Sequence, residues 1–258
     1  MDLGIEGKRV LITGASQGIG KAIALEFAKE NCRVSIISRR KEKLEQVVEE
    51  MGGESKGHNF YTVDLMEPGA PTKAVRYLTQ SEPYEIVVHN IGGTLNVKNI
   101  LSSAEEWQKV WQYNVGISIE INQLLIPPMK EKKWGRIINV SSISAESLRG
   151  SGPYGAAKAY LNAYTKVLAK GVAKDGIVVS ALMPGAVYGD GGPWDENSEA
   201  NKKDPAEFQR KRSDFLRHHH AIGRLGTAEE IAPFAVFMAS KYATFAQGSL
   251  INIDGGTE

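Results

Sequence analysis

A tyrosine and a lysine four residues apart, Tyr154 and Lys158, are the side chains in this sequence best suited to acid–base chemistry. On a helix, that spacing places both side chains on one face, one turn apart. A nearby ammonium group favours the phenolate, so it lowers the pKa of a tyrosine from about 10 toward neutrality. The pair therefore indicates proton transfer, although a tyrosine packed under a lysine stem is also common on helices that have no catalytic role.

A glycine-rich loop lies between a predicted buried strand, residues 8–13, and a predicted amphipathic helix that ends near residue 30. Strand, loop and helix in this order are typical of dinucleotide-binding sites, because N–H groups at the start of the helix bind a pyrophosphate. We expect Gly14 to allow the turn, Gly18 to let main chain approach the phosphates and Gly20 to let the helix pack on the strand. The loop residues expected to contact the cofactor are Gly14, Ser16, Gln17, Gly18, Ile19 and Gly20.

The second predicted strand, residues 33–38, ends in Ser38, Arg39 and Arg40. Many dinucleotide-binding folds carry an acid here that bonds the ribose 2′-hydroxyl of NAD. An acid would repel the 2′-phosphate of NADP, whereas an arginine would bind it. The sequence therefore favours NADP(H) over NAD(H), with Arg39 as the first contact. A solvated start of the following helix is the simpler alternative.

Polar residues and glycines also follow the predicted strands 58–63, 85–89 and 177–183. Asp64 could accept a hydrogen bond from an adenine amino group, or it could only cap a turn. Glycines at the end of a strand let a ligand lie against main chain. The candidate cofactor contacts in this group are Asp64, Leu65, Asn90, Gly92, Pro184, Gly185 and Val187.

Asn114 lies inside a long predicted helix, residues 105–130. Asparagine is unfavourable in the interior of a helix, because its amide competes for backbone hydrogen bonds. We therefore expect a helix kink or a water-holding site at Asn114, with an ordinary surface asparagine as the alternative.

Strands and helices alternate along the whole chain, and the connections are long enough for parallel crossovers. We predict an α/β fold with a doubly wound, parallel, seven-stranded sheet and helices on both faces, a Rossmann fold. Residues 1–258 form one domain in this interpretation. A polar and basic segment, about residues 188–220, is expected to be an irregular insertion that covers the site; we call it the lid segment.

Composition excludes several classes of function. The net charge of +1 gives no global attraction to nucleic acid or to an anionic membrane. The single cysteine, Cys32, cannot form an intrachain disulfide, which favours a reducing compartment. The N-terminus carries acids and has no long apolar run, and no segment is apolar over about 18 residues, so no signal peptide or membrane span is predicted. We expect a cytoplasmic protein.

Together, these motifs resemble those of the single-domain short-chain dehydrogenases/reductases, and in particular of 3-oxoacyl-(acyl-carrier-protein) reductases. The resemblance covers essentially the whole chain. It rests on the glycine motif Thr13-Gly14-x-x-x-Gly18-x-Gly20, on Asp64, Asn90-x-Gly92 and Asn114, and on Ser142 with Tyr154-x-x-x-Lys158.

The resemblance implies a role for each catalytic candidate. Tyr154 would be the general acid in carbonyl reduction, with Lys158 lowering its pKa and bonding the nicotinamide ribose. Ser142 would orient the substrate oxygen, and Asn114 would hold a water that links Lys158 to solvent. Pro184, Gly185 and Val187 would contact the nicotinamide. The family also implies a homotetramer or homodimer.

The sequence departs from the family pattern at three places. Ile91 stands where the family usually has alanine, and no threonine follows Pro184 and Gly185 where one usually bonds the carboxamide. Two adjacent serines also compete for one role. Ser141 has the commoner separation from Tyr154, whereas strand alignment favours Ser142, which we prefer.

The expected function is NADPH-dependent reduction of a ketone, with a 3-oxoacyl thioester as the nearest analogy. The substrate would be a small carbonyl or alcohol compound, free or carried on an acyl carrier protein or coenzyme A. The basic residues of the lid segment could receive such an anionic carrier, or they could only be a solvated helix face. The candidate substrate contacts are Ser144, Tyr188 and Trp194.

Two alternatives stay open. A ketosugar or polyol dehydrogenase using NAD(P) would need polar groups in the pocket, which Glu146, Ser147, Arg149, Tyr188 and Asp190 could supply. A regulator that senses NADP(H) without turnover belongs to a different class, and the complete serine, tyrosine, lysine and asparagine set argues against it. No metal site is predicted, because adjacent histidines such as His218–His220 do not share a helix face.

Overall fold

Seven short segments form one parallel sheet in the computed structural model, which describes residues 1–147, 150–189 and 194–257. The central strands are buried along their whole length, as expected when helices cover both faces of a parallel sheet. The strands are Arg9–Thr13 (β1), Arg33–Ser38 (β2), Asn59–Thr62 (β3), Ile86–His89 (β4), Gly135–Val140 (β5), Ile177–Pro184 (β6) and Leu250–Ile253 (β7).

The strand order is β3-β2-β1-β4-β5-β6-β7, and every neighbouring pair is parallel. The order reverses between β1 and β4, so the crevice beyond their carboxyl ends is the expected place for a ligand in a doubly wound sheet. The predicted Rossmann fold is confirmed.

Helices pack on both faces of the sheet. Helices α1, α2 and α10 contribute to the core on one face, and α3, α5 and α7 contribute to the core on the other. The helices are Gly18–Lys29 (α1), Lys41–Glu50 (α2), Ala70–Leu78 (α3), Ala104–Trp111 (α4), Ile117–Glu131 (α5), Ser144–Ser147 (α6), Gly152–Val172 (α7), Glu199–Lys203 (α8), Pro205–His219 (α9) and Ala228–Ala239 (α10).

The predicted helix over residues 105–130 is interrupted at the asparagine. A π-helical turn, Gln112–Gly116, separates α4 from α5, and Asn114 lies buried within it. Such a turn shifts the backbone hydrogen bonds from i→i+4 to i→i+5 and is frequent at functional sites. The expected kink at Asn114 is confirmed, and the surface alternative is wrong.

Two expectations about helices are wrong. The lid segment is not irregular, because α8 and α9 form within it; α9 begins at Pro205 with the Asp204 side chain accepting a hydrogen bond from the Glu207 N–H (2.9 Å). The sequence also predicts a helix over residues 156–174, but the helix that carries Tyr154 begins at Gly152, four residues earlier. The proposed pocket residues Arg149 and Asp190 lie outside the described residues.

None of the helices in the described ranges is both long enough and apolar enough to cross a membrane.

Candidate active site

The first turn of α7 presents Tyr154 at the carboxyl edge of the sheet. The Ser151 hydroxyl caps this helix, accepting a hydrogen bond from the Tyr154 N–H (3.3 Å) and donating one to the Val97 carbonyl (2.6 Å). The Tyr154 phenol forms a hydrogen bond with Ser142, and the Lys158 Nζ lies 5.6 Å from the centre of the Tyr154 ring. The structure therefore brings Ser142, Tyr154 and Lys158 together.

The two adjacent serines point in different directions. The Ser141 side chain is buried and donates a hydrogen bond to the main-chain carbonyl of Lys158 (3.3 Å). The Ser142 hydroxyl faces Tyr154 and also accepts a hydrogen bond from the Ser144 N–H (3.1 Å). Between the two serines, the geometry favours Ser142 as the partner of the phenol.

Burial dominates the electrostatics of this group. Lys158 is 2% exposed, donates to the Val140 carbonyl (2.8 Å), and burial lowers its pKa to about 7. Burial also raises the pKa of Tyr154, while the hydrogen bond with Ser142 opposes that increase. The sequence predicts a lowered tyrosine pKa. In this site it is raised, because both groups lose hydration and the lysine is itself held near its neutral form.

The Asn114 side chain holds backbone rather than reaching into the open site. Its Nδ2 donates to the carbonyls of Gly93 (2.8 Å) and Val110 (2.8 Å), and its Oδ1 accepts from the Gly93 N–H (3.0 Å). Both amide hydrogens are therefore used, and only Oδ1 retains a free lone pair for a water. The amide joins the π-helical turn to the loop that follows β4.

Gly92 lets this loop pass between two site residues. A Cβ atom on Gly92 would lie 2.6 Å from the Asn114 Oδ1 and 3.0 Å from the Lys158 Nζ. Any side chain here would displace Asn114 or Lys158. The glycine that the sequence assigns to cofactor contact thus also has a packing role.

The glycine loop is built as the sequence predicts. Gly14 and Gly18 have positive φ values of 70° and 56°, which favour glycine. A Cβ on Gly20 would collide with the Asn90 amide and lie 2.5 Å from the Gly14 carbonyl oxygen. That amide donates to the same carbonyl (3.0 Å), which fixes the loop against the end of β4.

Thr13 is a structural residue of this site, and sequence reasoning assigned it no role. Its hydroxyl oxygen accepts hydrogen bonds from the N–H groups of Asn90 (3.1 Å) and Ile91 (3.2 Å). It therefore ties the ends of β1 and β4 together at the crevice. Its position directly before the first glycine of the motif was the available signal.

A basic cluster forms where the glycine loop meets the end of β2. The Ser16 hydroxyl accepts hydrogen bonds from Ser38 Oγ (2.9 Å) and from the Arg40 guanidinium (2.9 Å). Lys43, which the sequence did not single out, donates to the Gln17 side chain (3.2 Å). Cationic groups and hydroxyls in this arrangement suit the binding of a phosphate group, such as the 2′-phosphate expected from the sequence.

Arg39 and Asp64 contact each other instead. Their side chains lie 3.6 Å apart, and Arg39 is largely exposed. Asp64 Oδ1 also accepts from the Met66 N–H (2.9 Å), so the carboxylate caps a turn, which was the alternative expected from the sequence. The neighbouring Leu65 has its side chain in the core. Of the two arginines, Arg40 is the one joined to the glycine loop.

The segment after β6 borders the site on its far side. The Gly185 N–H donates to the Ile253 carbonyl (3.0 Å), and a Cβ there would lie 2.7 Å from the Asp254 Cα. Val187 forms a bridge with Gly226, and the Pro184 carbonyl accepts from the Ile143 N–H (3.2 Å). These bonds hold the predicted nicotinamide contacts next to the serine loop.

The three candidate substrate contacts do not form one cluster. Ser144 begins α6 and donates its N–H to Ser142. The Tyr188 hydroxyl donates to Glu196 (2.6 Å), and Trp194 packs against the Phe215 ring at 4.6 Å between centroids. The last two therefore belong to the lid segment.

A family profile described as short chain dehydrogenase matches residues 8–196. The chain belongs to the short chain dehydrogenase family.

Relatives and solved structures of this family match the chain almost from end to end. The chain is 32% identical to the 3-oxoacyl-(acyl-carrier-protein) reductase FabG of Chlamydia pneumoniae, covering 99% of each. It is 31% identical to the FabG of Pseudomonas aeruginosa, covering 98% of each. It is also similar to a crystal structure of L-sorbose reductase from Gluconobacter frateurii complexed with NADPH and L-sorbose, with a TM-score of 0.89, 31% identity and 99% and 98% coverage.

Membership of the short chain dehydrogenase family makes the protein an oxidoreductase. The glycine loop and the serine, tyrosine and lysine group share the carboxyl edge of one sheet.

Proposed function

We propose that the protein reduces a ketone to a secondary alcohol with NADPH as the hydride donor. The observation that carries the proposal is the placement of Ser142 and Tyr154 together beside a buried Lys158. Because its pKa is raised, the phenol keeps its proton near neutrality and is available as a general acid, which suits reduction.

The residues present fit NADP(H). The positive φ values of Gly14 and Gly18 and the close approach at Gly20 leave main chain free to face a pyrophosphate at the start of α1. The Ser16, Ser38 and Arg40 cluster supports a 2′-phosphate, and NADPH is bound in the similar L-sorbose reductase structure. The bound cofactor would supply the hydride. We assign the nicotinamide contacts to Pro184, Gly185 and Val187.

The chain's own residues would manage the proton and the substrate oxygen. Ser142 donates a hydrogen bond to the ketone oxygen, and Tyr154 transfers its phenolic proton to that oxygen as negative charge develops there. Lys158 holds the cofactor ribose and returns a proton toward Tyr154. Asn114 holds the main chain of Gly93 in place beside Lys158, and its Oδ1 has a lone pair for a relay water.

A 3-oxoacyl thioester is the substrate that the FabG relatives favour, on an acyl carrier protein or coenzyme A. A keto sugar is the second candidate, supported by the bound L-sorbose in the similar reductase structure.

We also propose a cytoplasmic homotetramer or homodimer. The single cysteine, Cys32, supports the reducing compartment, and exposed apolar side chains on α7, Tyr160 and Val167, support an interface.

The test combines cofactor binding with turnover. We expect the purified protein to bind NADPH more tightly than NADH, and Arg40→Asp to reverse that order more strongly than Arg39→Asp. Tyr154→Phe should lose about 10²-fold or more in kcat for a ketone, in the range of general acid catalysis, with unchanged NADPH affinity.

Three outcomes would contradict parts of this proposal. Equal or stronger NADH binding would remove the 2′-phosphate argument. Turnover of Tyr154→Phe at the wild-type rate would remove the phenol from the mechanism. A biological effect retained by Tyr154→Phe without turnover would support the regulator instead.

A further inference from the structure

Helix α9 in the lid segment has one face that combines aromatic rings with a single arginine. Phe208, Arg212, Phe215 and His219 are spaced so that they share this face, which we call the inner face. Phe208 is buried, and Arg212, Phe215 and His219 are partly buried. A long cationic side chain on an otherwise apolar helix face requires an explanation, because charged groups normally remain on the solvent side.

Arg212 differs from its basic neighbours in having no carboxylate partner. Arg210 pairs with Glu207 (2.8 Å) and Asp214 (3.4 Å), and Lys211 pairs with Glu207 (3.3 Å). Among the described residues, no carboxylate lies within ion-pair distance of Arg212. The two outward neighbours are therefore neutralised along the helix, and the inner arginine is not.

The surroundings of Arg212 connect it to the substrate side of the molecule. After α9, the chain reaches Gly226, whose N–H donates to the Ala186 carbonyl (3.0 Å) and whose carbonyl accepts from the Tyr188 N–H (2.8 Å). Tyr188 hydrogen-bonds Glu196, which raises its pKa, while the charge of Arg212 acts on the same phenol in the opposite direction. On the same face as Arg212, the Phe215 ring lies 5.3 Å from the His220 ring, and His220 forms a bridge with Thr257, close to the Asp254 that lies against Gly185. The inner face is thus near the predicted nicotinamide contacts.

The nearby acids are already engaged. Glu196 accepts from the Tyr188 hydroxyl, and Asp195 Oδ1 accepts from the Asn197 N–H (2.9 Å). The Trp194 ring packs on Phe215, which lies one helical turn along α9 from Arg212. We call this pair of stacked rings the apolar shelf. An apolar shelf beside an unpaired guanidinium suits a ligand that has an apolar or ring-shaped part and a negative group.

We propose that Arg212 is the specificity-determining residue of the lid segment and binds a carboxylate or phosphate group carried by the ketone substrate. This inference rests on the proposed function and narrows its substrate class. It replaces the idea that the basic residues of the lid act together, because only Arg212 faces inward without a partner.

The test uses matched pairs of ketones that differ by one anionic group. One pair is acetoacetate and acetoacetamide, a second is the pantetheine and 4′-phosphopantetheine thioesters of acetoacetate, and a third is a ketohexose and its phosphate. For each pair, kcat/KM is measured with NADPH for wild type, Arg212→Gln, Arg212→Lys and Arg217→Gln. Arg217 is the control, because it lies on the exposed side of α9 and its loss changes the net charge equally.

Wild type should prefer the charged member of at least one pair. Arg212→Gln should reduce that preference by about 10- to 100-fold, the range of a charge-assisted hydrogen bond, with little change for the neutral member. Arg212→Lys should show an intermediate preference for the charged member, because lysine keeps the positive charge but cannot form two parallel hydrogen bonds as a guanidinium does. The preference of Arg217→Gln should match that of wild type. The pair with the largest effect identifies carboxylate or phosphate as the group recognised.

The inference fails if wild type reduces neutral and charged members equally well. It also fails if Arg217→Gln and Arg212→Gln lose the same preference, since bulk charge would then explain the effect. Arg212→Lys keeps the test decisive if Arg212→Gln does not fold. Absence of any ketone reduction by a protein that binds NADPH would contradict the proposed function itself.

Discussion

At the scale of single residues, the two serines at the end of β5 show how one position along a chain changes a role. Successive side chains in extended backbone point to opposite sides. Ser141 is therefore directed to the main chain of α7, whereas Ser142 is directed to the Tyr154 phenol. The loop spacing alone could not separate them.

Replacing each serine with alanine should separate their roles. We expect Ser142→Ala to lower kcat by about 10²-fold, as for removal of one hydrogen-bond donor to a developing oxyanion, with NADPH affinity unchanged. Ser141→Ala should keep kcat within about threefold and lose about 1 kcal/mol of stability, because only a buried hydrogen bond disappears. Steady-state kinetics and urea denaturation of both variants measure these effects. The reverse ranking in kcat would assign the role to Ser141.

Lys158 should reduce the stability of the cofactor-free protein. Burial lowers its pKa to about 7 from an ordinary value near 10.5. Between these values the unfolded chain binds a proton that the folded protein does not, so stability rises with pH. We expect Lys158→Met to raise the free energy of unfolding at pH 7 by about 1 kcal/mol or more, while turnover is lost.

The gain should shrink as the pH approaches 10, where the unfolded lysine also becomes neutral. Thermal unfolding of the two proteins at pH 7 and at pH 9.5 measures this difference. Lys166→Met, at an exposed position of the same helix, is the control for the added apolar side chain. A Lys158→Met protein that is less stable than wild type at pH 7 would show that the buried amine is stabilised by groups other than the Val140 carbonyl.

At the scale of elements, the π-helical turn is where a single amide holds two segments together. Asn114 satisfies the Val110 carbonyl on its own helix and both polar groups of Gly93 on the neighbouring loop. The side chain thus replaces hydrogen bonds that the shifted helix cannot make itself. An asparagine inside a helix is unfavourable by propensity, and the interruption supplies the compensation.

Asn114→Ala should release the loop that follows β4. Three backbone groups would lose their partner, so we expect a loss of about 2–4 kcal/mol in stability and a fall in kcat through a displaced Lys158. Hydrogen exchange at the Gly93 amide should become faster, because its acceptor is gone. Gln123→Ala, on the same α4–α5 stretch, is the control. Unchanged exchange at Gly93 would mean that the loop is held by other contacts.

Local sequence features predicted some elements correctly and missed others, for physical reasons. The second predicted strand is apolar in its centre and bounded by polar residues, so β2 matches its predicted limits. Helix α9 was missed because its apolar face contains an arginine and a histidine, and most of the remaining positions are polar or charged. Its periodicity becomes visible only when Trp194, distant in sequence, is seen against Phe215. The link between Arg40 and Ser16 likewise depends on how the loop and β2 come together.

At the scale of the whole molecule, a buried polar chain joins the centre of the sheet to the helices on one face. His89, at the end of β4, is 2% exposed and shares a hydrogen bond with Asn122 Oδ1 on α5 (2.9 Å). Asn122 Nδ2 donates to the Tyr164 hydroxyl on α7 (3.1 Å). Since Asn122 Oδ1 is the acceptor, His89 Nε2 carries the proton, and the buried Nδ1 has no partner among the described residues. The imidazole is therefore held neutral.

This chain of buried hydrogen bonds makes the stability of the whole fold sensitive to mild acid. Burial lowers the pKa of His89 to about 4, below the ordinary value of about 6.5, and burial also lowers the pKa of His58. As the pH falls below 6.5, the unfolded chain gains protons that the folded protein cannot accept. We expect each of these histidines to remove up to about 1.4 kcal/mol of stability per pH unit over that interval.

Urea denaturation at pH 7, 6 and 5 measures the effect above the range in which most carboxylates titrate. His89→Gln keeps an N–H for Asn122 but cannot titrate, so its stability should fall less steeply than that of wild type. His218→Gln, at an exposed position, should follow wild type. The remaining slope in His89→Gln belongs to His58 and His220, because burial also lowers the pKa values of these two side chains. The His58 Nδ1 accepts from the Val34 N–H (3.2 Å) and would lose that bond on protonation. If wild type and His89→Gln lost stability in parallel, His89 would bind its proton as readily in the folded protein as in the unfolded chain, and burial would not be holding the imidazole neutral.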